Sequence, residues 1–157
     1  MTHPQKETYN FTPKVDEVQE FIEIANDFSN PLELVREAIS NSYDARANAI
    51  RVSFEVEKER GEGVLVISLE DDGKGMDKDT IRAFFDLGNS TRRGDVNAIG
   101  EKGHGTKVYF NSAEVMVDTI SGGRRLVAIM RDPYRKLFSR EIPTVEISEN
   151  EAPSSLW

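Results

Sequence analysis

The chain has 157 residues, no cysteine, and 20 Lys and Arg against 28 Asp and Glu, a formal net charge of −8. That length, with 38% apolar residues, suits one domain with a core of its own. Without cysteine there is no zinc–thiolate cluster, thiol nucleophile or disulfide framework.

An acidic chain repels nucleic acid and anionic membranes, so neither is an expected primary partner; nucleic acid would be reached only through further domains. The polar start, Thr2 to Lys6, does not read as a signal peptide, and no apolar run approaches the ~20 residues that span a bilayer. The expected setting is the cytoplasm. Charge is uneven: residues 1–91 carry a net −9, residues 92–140 a net +5 and residues 141–157 a net −4. The basic segment can serve one small anionic ligand, with an unevenly charged solvated surface as the plain alternative.

In chain order, residues 1–13 read as a loose arm and 14–157 as a single domain. Val15, Val18, Ile22 and Ala25 recur at helical spacing, which predicts a helix over about 14–28. Asn30-Pro31 supplies an N-cap and a first-turn proline, opening a second helix to about Ala47. Ile50, Val52, Phe54 and Val56 alternate with polar residues as in a strand with one buried face. Arg60 to Gly63 turns the chain into Val64–Leu69, read as a buried apolar strand. After a turn at 71–75, Asp77 or Asp79 can cap a short helix carrying Ile81, Phe84 and Phe85. Residues 88–105 are polar and glycine-studded without period, a long loop of the functional kind. A short helix over 106–111 follows, then strands near 113–120 and 125–130 joined by Ser121-Gly122-Gly123. The pattern predicts an α+β two-layer sandwich, with helices on one face of a mixed, largely antiparallel sheet.

Three local patterns carry chemistry. On the second helix, at about 100° per residue, Glu37, Asn41 and Asp44 fall within about 60° of one another, opposite Leu32, Val35 and Ile39. Periodicity alone reads this as a solvated face. Chemically, a carboxylate can orient and deprotonate water, and an amide oxygen one turn on is a hard ligand suited to Mg²⁺. Next, Asp71-Asp72-Gly73-Lys74-Gly75-Met76 ends a strand; its glycines permit a sharp turn against a flat ligand, and an acidic acceptor there can take an exocyclic amine. A plain turn is the alternative, and an EF-hand is excluded because its terminal glutamate is missing. Third, Gly100 to Lys107 places three glycines before a helix start inside the basic segment, where exposed backbone N–H groups suit phosphate. A P-loop fails because Thr106 stands where the lysine belongs, and the dinucleotide glycine spacing is also wrong. Neither His104 nor His3 has a metal-binding neighbour pattern.

A helix with Glu-x-x-x-Asn-x-x-Asp, then strand–Asp-x-Gly-x-Gly, then Gly-x-x-Gly-x-Gly resembles the GHKL ATPases (gyrase, heat-shock chaperones of the ninety-kilodalton class, histidine kinases, MutL) over roughly residues 15–131. Arg36 to Ala45 looks most like the chaperone and MORC branches, and Leu87 to Arg93 resembles the segment leading into the MORC-like lid. The resemblance implies ATP and Mg²⁺ as cofactors. It implies Glu37 polarising the attacking water, Asn41 binding Mg²⁺, and Asp44 lining the pocket. Asp71 would accept the adenine amine, with Gly73 and Gly75 shaping the wall and Met76 packing on the base. Residues 88–105, with Asn89 and Ser90, would form the lid, and Lys102 with Gly103, His104, Gly105 and Thr106 would hold the phosphates.

Two departures from the family pattern shape the expectations. The family closes its sheet with a strand carrying a Gly-Thr pair that supports the adenine-binding aspartate. Thr119, on an earlier strand, reads as a poor substitute, so the chain reads as truncated before that strand, or another element supplies it. Hydrolysis in the family commonly needs an ATP-dependent dimer and a lysine from a following domain, so the chain alone reads as a weak ATP hydrolase. The alternatives are an ATP-dependent protein kinase of histidine-kinase or anti-sigma type, and a non-catalytic interaction domain.

Overall fold

The computed structural model describes residues 11–14, 16–19, 22–23, 30–86 and 105–153. Residues 17–19 and 22–23 are helical, within the helix expected over 14–28; the rest of that stretch lies outside the described residues. Helix α1 (Pro31–Asp44) opens as its sequence dictates, with Asn30 Oδ1 accepting the Leu32 N–H at 3.0 Å. It stops at Asp44, three residues short of the expected end, capped by Ala45.

Strands β1 (Ile50–Glu59) and β2 (Glu62–Asp71) pair antiparallel from Ile50↔Asp71 to Glu59↔Glu62. Helix α2 (Lys78–Phe85) is capped by Asp77, whose Oδ1 accepts the Thr80 N–H at 2.8 Å. A 3₁₀ helix (Gly105–Phe110) leads to strands β3 (Glu114–Ser121) and β4 (Arg124–Arg131), then helix α3 (Pro133–Phe138) and strand β5 (Val145–Glu151). Both hairpins turn on two positive-φ residues, Arg60-Gly61 and Gly122-Gly123, the geometry that matches strand twist.

The α+β class holds, but the strands divide between two antiparallel sheets, β1-β2 and β3-β4-β5, where one mixed sheet was expected. The expected helix over 106–111 is 3₁₀. Burial differs too. None of Val64–Leu69 is fully buried, and Phe54, Val56 and Leu65 stand exposed. The core lies instead on the other sheet. Leu126, Ala128 and Met130 of β4 pack with Ile81 and Phe85 of α2, Phe110 and Leu137, and Phe84 stacks on Tyr109 at 5.3 Å.

Strand β5 and helix α3 were not anticipated. β5 runs antiparallel to β4 from Arg124↔Glu151 to Met130↔Val145, directly after Pro143-Thr144. A strand beyond the hairpin is therefore present, without a Gly-Thr pair inside it. Ion pairs accompany that ladder: Glu149 meets Lys78 and, at 3.0 Å, Arg124, while Glu146 meets Arg131 at 3.6 Å.

Several carboxylates are held below their ordinary pKa: Glu149 by Lys78 and Arg124, Asp77 by Thr80, Asp118 by the Arg125 guanidinium, and Asp72 by the Ala49 and Asn48 N–H groups. A carboxylate with a depressed folded pKa stabilises the native state above its unfolded pKa, and that contribution disappears as pH falls through the folded value. The urea midpoint should therefore stay flat from pH 7 to about 5 and fall progressively below about pH 4. A midpoint unchanged at pH 3 would contradict this.

Candidate functional site

Helix α1 buries its polar side. Glu37 is 6% exposed and Ser42 1%, whereas Leu32 is 69% and Tyr43 61% exposed. The solvated-face reading therefore fails, because an ordinary surface helix does the reverse. Glu37 and Asn41 lie one turn apart, a separation at which helical side chains are neighbours; Asn41 and Asp44 are half-buried.

The turn after β2 docks on the C-terminal end of this helix. Asp71 Oδ2 accepts the Ser42 hydroxyl at 2.7 Å, and Oδ1 accepts the Gly73 N–H at 2.8 Å. The Lys74 N–H donates to the Ala45 carbonyl at 3.0 Å. Asp72 Oδ1 accepts the N–H groups of Asn48 (2.6 Å) and Ala49 (2.9 Å), fastening the turn to the segment entering β1. Thus of two adjacent aspartates, one is spent on structure. The other faces α1 with a fixed carboxylate.

Both glycines are sterically required. A Cβ on Gly73 would lie 2.8 Å from the Ala45 Cβ and from Asp71 Oδ1, and one on Gly75, at φ +70°, would lie 1.9 Å from the Ile120 carbonyl oxygen. β3 reaches the turn a second time through Thr119, 8% exposed, whose Oγ1 accepts the Met76 N–H at 2.8 Å. Thr119 therefore supports this turn through Met76; Asp71 itself takes its bonds from Ser42 and Gly73, so the expectation that Thr119 is a poor substitute for a support of that aspartate is not overturned. The Met76 side chain packs partly against the core.

The structure thus joins Glu37, Asn41, Asp44, Asp71, Gly73, Gly75 and Met76 through one helix and one docked turn. Gly105 and Thr106 open the 3₁₀ helix, which packs against α1 and α2. Asn89, Ser90, Lys102, Gly103 and His104 lie outside the described residues. Ser42 and Thr119 are the members that sequence reasoning missed or discounted. Ser42→Ala should cost about 1–3 kcal/mol of stability by stripping a partner from the Asp71 carboxylate, read as a lower urea midpoint; an unchanged midpoint would show that the bond carries nothing.

A polar-faced helix docked on an Asp-x-Gly-x-Gly turn, within an α+β fold of antiparallel sheets, defines a GHKL-type ATP-binding module. The sequence profile described as histidine kinase-, DNA gyrase B-, and HSP90-like ATPase matches residues 30–149, and the chain belongs to that family. No curated protein sequence matches the chain. Among the described residues no helix is long and apolar enough to cross a membrane.

Proposed function

We propose that the chain is a Mg²⁺-dependent ATP hydrolase module in which the segment 88–105 closes over bound nucleotide and drives self-association of a larger cytoplasmic protein. The observation that carries this reading is the Asp71 carboxylate, fixed by Ser42 and Gly73 on a turn pressed against the helix that buries Glu37.

The donor set fits the proposed ligand. The Asp71 carboxylate is acceptor-only and suits an exocyclic amine, and the glycines let the turn that carries it dock closely on Ala45 and Ile120. The Asn41 amide oxygen suits an ion that keeps most of its waters and takes its remaining ligands from phosphates. Bound Mg²⁺-ATP supplies the phosphoanhydride and the cation that offsets its charge. The chain's part is to orient and exclude: Glu37 holds a water by its carboxylate in a dry setting, and Asp44 lines the same side of α1. Lys102, with the backbone at 103–106, takes the phosphate side, and Met76 offers an apolar surface to the base.

Asp71→Asn tests the reading. It should lower nucleotide affinity about 5- to 150-fold, the ~1–3 kcal/mol cost of a mispaired buried group. Titration followed by thermal shift reads it, since a hundred-fold excess over Kd stabilises by ~2.7 kcal/mol. Equal shifts for parent and variant, or none for the parent, would sink the proposal. With labelled ATP, free phosphate supports hydrolysis, whereas label on protein would make the module a kinase.

A further inference from the structure

Strand β1 is hydrogen-bonded to β2 along one edge and, among the described residues, to nothing along the other. An open edge is a row of unmet donors and acceptors that templates another strand. Ile50, Phe54 and Val56, with Leu65 of β2 opposite Val56, share one face of this hairpin and are 39%, 56%, 73% and 53% exposed.

We infer that β1 pairs antiparallel with β1 of a second copy of this chain, about a twofold axis at Phe54, without nucleotide. Charge complementarity selects the occupant. A twofold at Phe54 sets Arg51 opposite Glu57, Val52 opposite Val56, Ser53 opposite Glu55 and Ile50 opposite Lys58, each pair occurring twice and Phe54 meeting its own copy. Two ion pairs form, no like charges stand directly opposite one another, and the apolar faces run on from one copy to the next. Moving the axis to Glu55 sets that carboxylate against itself; moving it to Ser53 shortens the paired stretch to residues 50–56. The opposite edge offers nothing comparable: β2 carries Glu62, Glu70 and Asp71 and no basic residue, so β2 paired with itself forms no ion pair. Arg51 is 81% exposed at its side chain despite its 3.0 Å contact with Glu70, which leaves it free to share a second carboxylate. The pairing needs no ATP, so it is separable from any nucleotide-driven closure.

Sedimentation equilibrium of the whole chain without nucleotide should show a concentration-dependent dimer. Glu57→Arg and Arg51→Glu should each weaken it tenfold or more by opposing like charges. Glu57 faces only Val64 across the hairpin, so its variant should keep the parent's melting curve at concentrations where both are monomeric. The diagnostic result is an equimolar mixture of the two variants: a mixed dimer regains both attractive pairs and should associate at least tenfold more tightly than either variant alone. Because the chain has no cysteine, Phe54→Cys makes a single-thiol protein whose two copies should form a disulfide on mild oxidation, directly opposed strand residues lying within disulfide reach. A monomer at all concentrations, association only with Mg²⁺-ATP, a mixture no tighter than its components, or no cross-link in Phe54→Cys would each overturn the inference.

Discussion

Glu37→Ala is expected to slow ATP hydrolysis by about 10²–10⁴-fold while leaving nucleotide affinity within a few-fold of the parent. The asymmetry follows from position. Glu37 sits inside the fold at 6% exposure, in the middle of α1, while the proposed adenine contact lies on another element, the turn after β2. A carboxylate that acts on water in the transition state contributes to rate and not to ground-state binding, so its loss appears in kcat, at about 1.4 kcal/mol per tenfold. Glu37→Gln keeps shape and most packing while removing the base, and should show the same kinetic loss with a smaller change in stability. Single-turnover phosphate release separates chemistry from product release, and a nucleotide titration supplies the affinity. Hydrolysis by both variants at the parental rate would remove Glu37 from the mechanism; a parallel collapse of affinity would make it a structural residue.

The elements governed by local rules were legible in the sequence. Asn30-Pro31, Asp77 and the two glycine-bearing turns act through hydrogen bonds and dihedrals within a few residues, and each appears where the residues place it. Strand β5 was not, because its sequence lacks the signal that periodicity reads. It offers Val145 and Ile147, then acidic residues, and its backbone ladder with β4 holds it in the sheet, with Val145 packed against the core and its ion pairs exposed. Helix α3 is six residues long, too short to show a period, and its buried residues are Pro133 and Leu137.

The site divides along the same line. Residue types and spacing along the chain were enough to nominate Glu37, Asn41 and Asp71. They were not enough to find Ser42, a plain serine until the fold carries a carboxylate 29 residues away to within 2.7 Å. Nor do they reveal that the strand carrying Thr119 passes the turn closely enough to bond the Met76 N–H. Both are tertiary contacts, to which no helical or strand period points. The apolar run Val64–Leu69 misled in the opposite sense: a hydrophobic strand was read as a buried one, and the hairpin carries much of its apolar face in the open.

Among the glycines the largest loss is expected at Gly75. Gly75→Ala should destabilise the domain by about 3–5 kcal/mol, a large share of the roughly 5–15 kcal/mol that holds a typical domain together. Two costs add. At φ +70° a residue with a Cβ costs about 1–2 kcal/mol wherever it stands. Here the Cβ would also fall 1.9 Å from the Ile120 carbonyl oxygen, which belongs to a paired strand and cannot rotate away as a side-chain tip can. Gly122 isolates the first cost, since at φ +57° nothing lies within 4 Å of its would-be Cβ; Gly122→Ala should lose only about 1–2 kcal/mol. Gly73 isolates the second in milder form: no positive φ, but contacts of 2.8 Å to the Ala45 Cβ and Asp71 Oδ1. Urea denaturation of the three variants should therefore rank Gly75→Ala far below the other two. Nucleotide affinity should rank differently, with Gly73→Ala and Gly75→Ala both impaired and Gly122→Ala unchanged, because only the first two glycines shape the turn that carries Asp71. If Gly122→Ala lost as much stability as Gly75→Ala, backbone conformation alone would account for the glycine at 75, and the close approach of β3 would contribute nothing.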